Sequence, residues 1–303
     1  MSEHYPRIRI RAESGHPLMT ESLALTFYLR HSHAEVSQKV VHSLKAYLRA
    51  VGPTALGLYA DEEGYWQSLD DAGWARIWRE LSSPRRASIH LTDASSDEQR
   101  YRFVYRGRQL DDAFLANEPD AVSAVSFWLP TAYLEKHGPE KVRELALDLA
   151  APLPFTSGHA GLSFDCDTGL EEVKKELRQL CFRYPGMDIP DFNWLSLHLG
   201  TRIRGVSWLN FLGQPVLGEV GGATELRARL HYPRTTVQAL SEDRAVISMG
   251  PWPEAGDIQK GEALPAYREV ARVLAPWLYH ATARSSSAFS PEDLLRWERR
   301  FLD

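Results

Sequence analysis

The stretch Gly161-Leu-Ser163-Phe-Asp165 comes nearest to a catalytic phrase in this sequence. It almost spells a nucleophile elbow, but the closing glycine is replaced by Asp165. The elbow needs a small residue there for strand and helix to approach around the strained serine. Ser163 is therefore expected to be structural. His31 and His33 could both reach a metal from the end of a strand, yet no His-Glu-x-x-His or Cys-x-x-Cys pattern completes a ligand set. They read instead as solvent-exposed residues ahead of a capped helix. His159, before a Gly-Leu strand, reads as a hydrogen-bonded histidine rather than a base. Asp165 and Asp167 flank Cys166 and would raise its pKa, which argues against a reactive thiolate. Gly218-Glu-Val-Gly-Gly222 has neither the Lys-Ser/Thr of a P-loop nor dinucleotide spacing. These residues indicate no catalytic group, no metal and no cofactor.

Arg100, Arg102, Arg106 and Arg108 alternate with Tyr101, Phe103 and Tyr105. A nucleic-acid platform would put bases and phosphates against one mixed surface. Here alternation sends the aromatics to one face as core and the arginines to the other, as the solvated face of an edge strand. More suggestive are loops that join carboxylates to large aromatics: Asp61-Glu62-Glu63 with Tyr65 and Trp66, Tyr184 through Met187 and Asp188 with Phe192 and Trp194, and Trp252 with Glu254. Aromatics give contact area at low entropic cost, and carboxylates around them discriminate by charge. With Gln214 and Glu219, which leave a strand through a Gly/Pro turn, these residues are the candidate partner-binding set. A loop tryptophan that only plugs onto the core is the competing reading for each.

The elements that would position them follow from periodicity. Arg7–Arg11 alternates as a surface strand, and Leu23–Leu29 reads as a buried one. Ser32 and Glu35 form a capping-box pair before a helix striped by Val36, Val40, Leu44, Tyr47, Leu48 and Val51, which stops at Gly52-Pro53. Strands are expected at 55–59, 88–92, 101–106, 121–129, 159–165 and 205–212, helices at 140–151 and from Leu170, with Thr168 and Glu171 as a second capping box. Cys181 falls on the apolar stripe of that second helix and reads as a buried free thiol. Segments 235–240 and 244–249 form a hairpin, 265–279 a helix bent at Pro276, and Ser290 opens a last helix.

The pattern reads as α+β / α/β, with two similar α/β sub-domains at residues 1–115 and 116–303, the second carrying the C-terminal helices. Phe27-Tyr-Leu29 parallels Phe127-Trp-Leu129, and Gly57-Leu58 with Asp61 parallels Gly161-Leu162 with Asp165. An internal duplication would give each half a mixed sheet with amphipathic helices packed on it; chance agreement of two α/β segments is the alternative. No low-complexity tract separates the halves, so one unit is expected. The 303 residues carry 35 Lys and Arg against 40 Asp and Glu, a net charge of −5, which does not favour direct nucleic-acid binding. No apolar run approaches the ~20 residues of a membrane span. The first residues lack a basic-then-apolar leader, and two cysteines make no disulfide framework. A cytoplasmic protein is the expectation.

The order Phe127-Trp-Leu-Pro130, Gly138-Pro139 with its helix, Leu153-Pro-Phe-Thr-Ser-Gly-His-Ala-Gly-Leu162, Arg183-Tyr-Pro-Gly186 and Trp208-Leu-Asn-Phe-Leu-Gly-Gln-Pro215 resembles the TsiV-type family of type VI secretion immunity proteins. The resemblance runs from about residue 23 to 278. It implies a non-enzymatic protein that binds and neutralises a cognate type VI effector toxin, commonly a DNA-cleaving nuclease of the PD-(D/E)xK class. It assigns no contact residues. The alternative from another class is a small-molecule-binding α/β module without catalysis, and an uncharacterised hydrolase would require a carboxylate pair or a His–nucleophile contact in a cleft.

Overall fold

The computed structural model describes residues 4–15, 17–94, 101–166, 168–189, 191–281 and 289–303; Arg100 and Asp167 lie outside them. The strands are β1 (Arg9–Arg11), β2 (Pro17–Leu29), β3 (Leu58–Ala60), β4 (Trp66–Ser68), β5 (Ala87–Thr92), β6 (Arg102–Gly107), β7 (Ser123–Pro130), β8 (Ser157–Cys166), β9 (Leu209–Leu212), β10 (Thr235–Ala239) and β11 (Ala245–Met249). They form one 11-stranded sheet in the order β10-β11-β9-β8-β2-β7-β6-β5-β3-β4, with β1 continuing beside the start of β2. Each of these strand pairings is antiparallel. The helices are α1 (His33–Val51), α2 (Asp71–Leu81), α3 (Thr131–Ala150), α4 (Glu171–Arg183), α5 (Phe192–His198), α6 (Val216–Glu219), α7 (Gly222–Arg229), α8 (Pro265–Leu274) and α9 (Pro291–Glu298).

Strand β2 shows how the sequence divides the two faces. Its odd residues Leu23, Leu25, Phe27 and Leu29 are fully buried and join the main core. Register sets them opposite Leu129, Phe127 and Val125 of β7 and Leu162 and Ala160 of β8. Helices α1 and α3 lay Val36, Val40, Leu44, Tyr47, Val142, Leu145 and Leu149 onto this face. Burying each such side chain is worth about 2 kcal/mol before chain entropy is charged against it. The Tyr47 hydroxyl donates to the Trp128 carbonyl at 2.5 Å and Ser43 Oγ donates to the Leu149 carbonyl at 2.8 Å. The even residues Ser22, Ala24, Thr26 and Tyr28 face the other way, opposite Pro130, Trp128, Ser126 and Ala124 of β7 and Ser163, Gly161, His159 and Ser157 of β8. Over β9 and β11 that second face is covered by an apolar layer from α6, α7 and α8, and over β7 by α5.

Helix boundaries follow local chemistry. The Glu35 carboxylate accepts from the Ser32 amide at 2.6 Å at the start of α1, as its spacing predicts. Helix α3 begins nine residues before the expected Glu140, directly after β7, and is kinked at Gly138 (φ 79°) before Pro139. Proline lacks an N–H, so the second segment can begin there without losing a bond. Helix α4 is capped at Leu170 and not at Thr168, so the second capping box is not used. Helix α8 ends at Leu274, and Ala275–Trp277 tightens into a 3-10 turn around Pro276.

Two further expectations are corrected, and the internal duplication is not confirmed. His33 is not solvent-exposed: it is fully buried, with Nδ1 2.8 Å from the Tyr105 hydroxyl. β6 is not an edge strand but lies between β5 and β7, so Arg102 and Arg106 face a half-covered sheet surface, while Phe103 and Tyr105 are core as expected. The halves share one sheet, with β2 of the first half between β7 and β8 of the second. Strand order does not repeat between them. β8 pairs directly with β2, whereas its proposed counterpart β3 lies near the far edge beside β4.

Two outcomes test this packing. Glu21 is 1 % exposed and its carboxylate accepts from the Ile8 amide at 2.8 Å, Arg9 Nη1 at 2.5 Å and Thr131 Oγ1 at 3.1 Å, docking the N-terminal strand to α3. Because Arg9 keeps some solvent, Glu21→Ala should cost about 2–3 kcal/mol in denaturant melts and not the full penalty of a wholly buried broken pair. His90 is driven to a pKa of about 4, by burial first and then by Arg102 and Arg106. The folded protein keeps it neutral while the unfolded chain protonates near pH 6.5, so stability is full above that pH and falls as pH drops toward 4, by about 3 kcal/mol at most. His90→Gln should flatten that part of the pH–stability curve; an unchanged slope would refute the assignment.

Candidate partner-binding surface

The second face of the sheet meets a network of buried charges. The Asp188 backbone adds to β8: its amide donates to the Leu162 carbonyl and its carbonyl accepts from the Phe164 amide. Its carboxylate lies 3.5 Å from His159 Nε2 and 3.6 Å from Arg204 Nη2. Burial opposes the Asp188 carboxylate, but the Arg204 guanidinium, then His159 and Arg300, outweigh it and hold its pKa below the ordinary range. Burial lowers the pKa of His159, only partly offset by Asp188. Arg204 and Arg300 lie over the Trp297 ring, at 4.8 and 3.8 Å from its centroid, so α9 closes the network. Arg300 Nε donates to the Pro185 carbonyl at 2.7 Å, and burial pushes its pKa down to about 10.

This network braces a surface; it does not assemble a nucleophile. Ser163 Oγ donates to the carbonyl oxygen of Asp188 at 3.1 Å, and its nearest hydrogen-bonded partners are backbone. Among the described residues no group of three or more His, Cys, Asp or Glu is placed to hold a metal. Burial pushes the Cys181 thiol up to about 12, consistent with a structural free cysteine. Arg102 pairs with Asp165 at 3.0 Å and lies over Trp128, which explains why its side chain is not splayed into solvent.

The candidate loops separate into two regions. Tyr184 and Met187 are buried, Met187 completely, and Asp188 belongs to the network above. Their loop is pressed against that of Trp252 and Glu254: the Gly186 amide donates to the Ala255 carbonyl at 2.8 Å, and a Cβ on Gly186 would come 2.0 Å from the Glu254 carbonyl oxygen. Arg183 Nη2 pairs with Asp257 at 2.7 Å beside it. Trp252 stacks on His4 at 5.0 Å and is half-buried, while Glu254 is exposed. The tryptophan of this region therefore largely plugs a loop onto the core.

The other region lies at the opposite end of the strands. The β3–β4 hairpin carries exposed Glu62 and Glu63, half-exposed Asp61, and Tyr65 and Trp66 at 70 % and 45 % exposure. Asp61 shapes the turn by accepting from the Tyr65 amide and from Gln67 Nε2, both at 2.8 Å; the Gln67 bond first, with the backbone amides, lowers its pKa. Trp66 meets the His90 ring edge-on at 4.9 Å. Residues 108–122, joining β6 to β7, emerge at this same end and carry no motif that marks them in the sequence. Trp194 on α5 donates from Nε1 to the Tyr279 hydroxyl at 2.9 Å and is half-buried. Gln214 and Glu219 are exposed at this end too, Glu219 accepting from Trp277 Nε1. They follow β9, seven strands from β4, so they sit roughly 30 Å from the hairpin. The twelve candidate residues thus do not form one patch.

Among the described residues no helix is long and apolar enough to cross a membrane. No curated protein matches the sequence. Among solved structures the chain is similar to a Pseudomonas aeruginosa T6SS protein, PA0821, at 21 % identity with a TM-score of 0.79, covering 97 % of this chain and 87 % of that one. At that identity the likeness is one of fold. The family model described as type VI immunity for VRR-NUC matches residues 39–301, from the middle of α1 to just past α9. By that match the chain belongs to the TsiV family of type VI immunity proteins.

Proposed function

We propose that this chain binds a VRR-NUC nuclease effector of the type VI system in a stable stoichiometric complex and neutralises it in the cytoplasm, without catalysis of its own. Family membership over residues 39–301 is the observation that carries the reading. The surface supports it. A nuclease that grips a polyanion presents a basic face, and the hairpin residues Asp61, Glu62, Glu63 and Trp66 offer that face carboxylates around an exposed ring. In this reading Trp194, Gln214 and Glu219 extend the contact along the same end of the sheet. Tyr184, Met187 and Asp188, with Trp252, hold the scaffold behind it, and Glu254 stays peripheral.

Co-expression with the VRR-NUC effector of the same gene cluster should restore growth to cells the effector alone kills. Nuclease activity of the purified effector should fall to background near one equivalent of this chain. Reversing the hairpin charges, Glu62→Lys with Glu63→Lys, should slow association and weaken the salt dependence of binding, with dissociation changed less. Undiminished cleavage in the presence of a tenfold excess of the chain would refute the proposal.

A further inference from the structure

Phe114 is 94 % exposed, the most exposed of the large hydrophobic side chains among the described residues. Full exposure of an aromatic ring is costly to solvation and gains nothing within the fold. A floppy loop would explain it away, but residues 108–122 are closely tied. The Phe114 amide donates to Asp112 Oδ1 at 3.0 Å, starting a 3-10 turn over Ala113–Leu115. Amides of Asp112, Leu115, Ala116, Glu118 and Ala121 donate to carbonyls within the loop. At its base the Leu110 amide donates to Ser32 Oγ at 3.0 Å and the Gly200 amide to the Asp120 carbonyl at 2.9 Å. Glu118 approaches His198 Nδ1 at 3.3 Å. The ring is thus presented on a turn fixed from both sides.

The loop itself is acidic apart from Arg108 at its base, and it is set at an end of the sheet where Arg30, Arg85 and Arg86 are also exposed. Asp111 and Asp112 are exposed immediately before the ring, and the loop carries Glu118 and Asp120 after it. Antiparallel pairing of β3, β5 and β6 brings the acidic hairpin tip with Tyr65 and Trp66 to the same end of the sheet.

We infer that residues 108–122 form a prebuilt docking loop, with Phe114 as the anchor that enters an apolar pocket and Asp111 and Asp112 as the charges that select a basic surround. The occupant is the basic face of the nuclease effector, so the inference rests on the immunity reading and adds to it the element that makes the central contact. A rigid aromatic loses little side-chain entropy on binding, and a loop already ordered loses little backbone entropy. Rim carboxylates beside it act on encounter rate.

The test measures binding of the full chain to the purified, catalytically inactivated VRR-NUC effector. Phe114→Ala should leave the thermal midpoint unchanged, because the side chain touches almost nothing, and should raise Kd at least tenfold through faster dissociation. Asp111→Lys with Asp112→Asn, which keeps a side-chain acceptor for the turn, should lower the association rate and flatten its salt dependence. Wild-type binding with an unchanged Kd for Phe114→Ala would overturn the docking loop while leaving the immunity reading intact. A wild-type chain that does not bind the effector would overturn both.

Discussion

Strand β2 is hydrogen-bonded along both edges and covered on both faces, and the rest of the chain is arranged to satisfy it. Thirteen residues long, it pairs with β8 from Met19 to Tyr28 and with β7 from Ser22 to Leu29. A strand buried on both sides has no solvent to complete its backbone bonds, so both neighbours are obligatory. Both come from the second half of the sequence, which makes the two halves interdependent. The alternation of β2 then decides what each face can hold: leucine and phenylalanine toward α1 and α3, serine, alanine and threonine on the other side. A one-residue slip would exchange the two sets and bury the wrong one.

The second face of the sheet bears on the surface as well. Thr26, Ser126 and Gly161 lie there beside Tyr28, Trp128 and His159, and the charges that the segment at Asp188 brings onto this face are compensated in place. Asp188, His159, Arg204, Arg300 and Trp297 do this as a group. Removing one member would strand another in a dry environment, which is why such networks fix a conformation more surely than they add net stability. Fixing the loop at 184–189 also fixes the loop at 251–256 through the close approach at Gly186. The result is a scaffold whose exposed turns do not need to be ordered by a partner.

Much of this architecture is legible in the sequence, and the illegible parts have physical reasons. Ser32 and Glu35 act within one helical turn, so their spacing alone locates the start of α1. The hairpin of β10 and β11 is equally local. The single sheet is not local: nothing near Phe27 states that its neighbours are Val125 and Gly158, and alternating strands separated by helices look the same whether they form one sheet or two. His33 is buried where local spacing suggests exposure, because its environment is set by Tyr105, seventy-two residues away. The acidic-aromatic hairpin was legible because exposure follows from a turn rich in Asp, Glu and Gly. Phe114 was not, since one phenylalanine between alanines and a leucine reads as core until the turn that displays it is known. Tyr184 and Met187 mislead in the opposite sense: an aromatic-bearing Pro-Gly loop looks like surface, and only the contact at Gly186 shows that it is packed under another loop.

Charge distribution follows from the same division. The chain holds only five more acidic than basic residues, too small an excess to make a strongly negative protein if spread evenly. Several arginines are already engaged: the part-buried Arg102 with Asp165, Arg204 and Arg300 around Asp188 and Trp297, and the half-exposed Arg183 with Asp257. The Arg102–Asp165 and Arg183–Asp257 pairs cancel their own fields at a distance, whereas two arginines stand about the one Asp188. What reaches solvent is set by groups outside these pairs, and at the hairpin tip and the loop before β7 those are Glu63, Asp111 and Asp112, for which no ion pair is formed among the described residues. Screening limits such charges to about 8–10 Å at physiological ionic strength, so they act only on what docks directly against them. The hairpin tip and the loop before β7 are therefore local acidic spots, set among the exposed Arg30, Arg85 and Arg86 at the same end of the sheet.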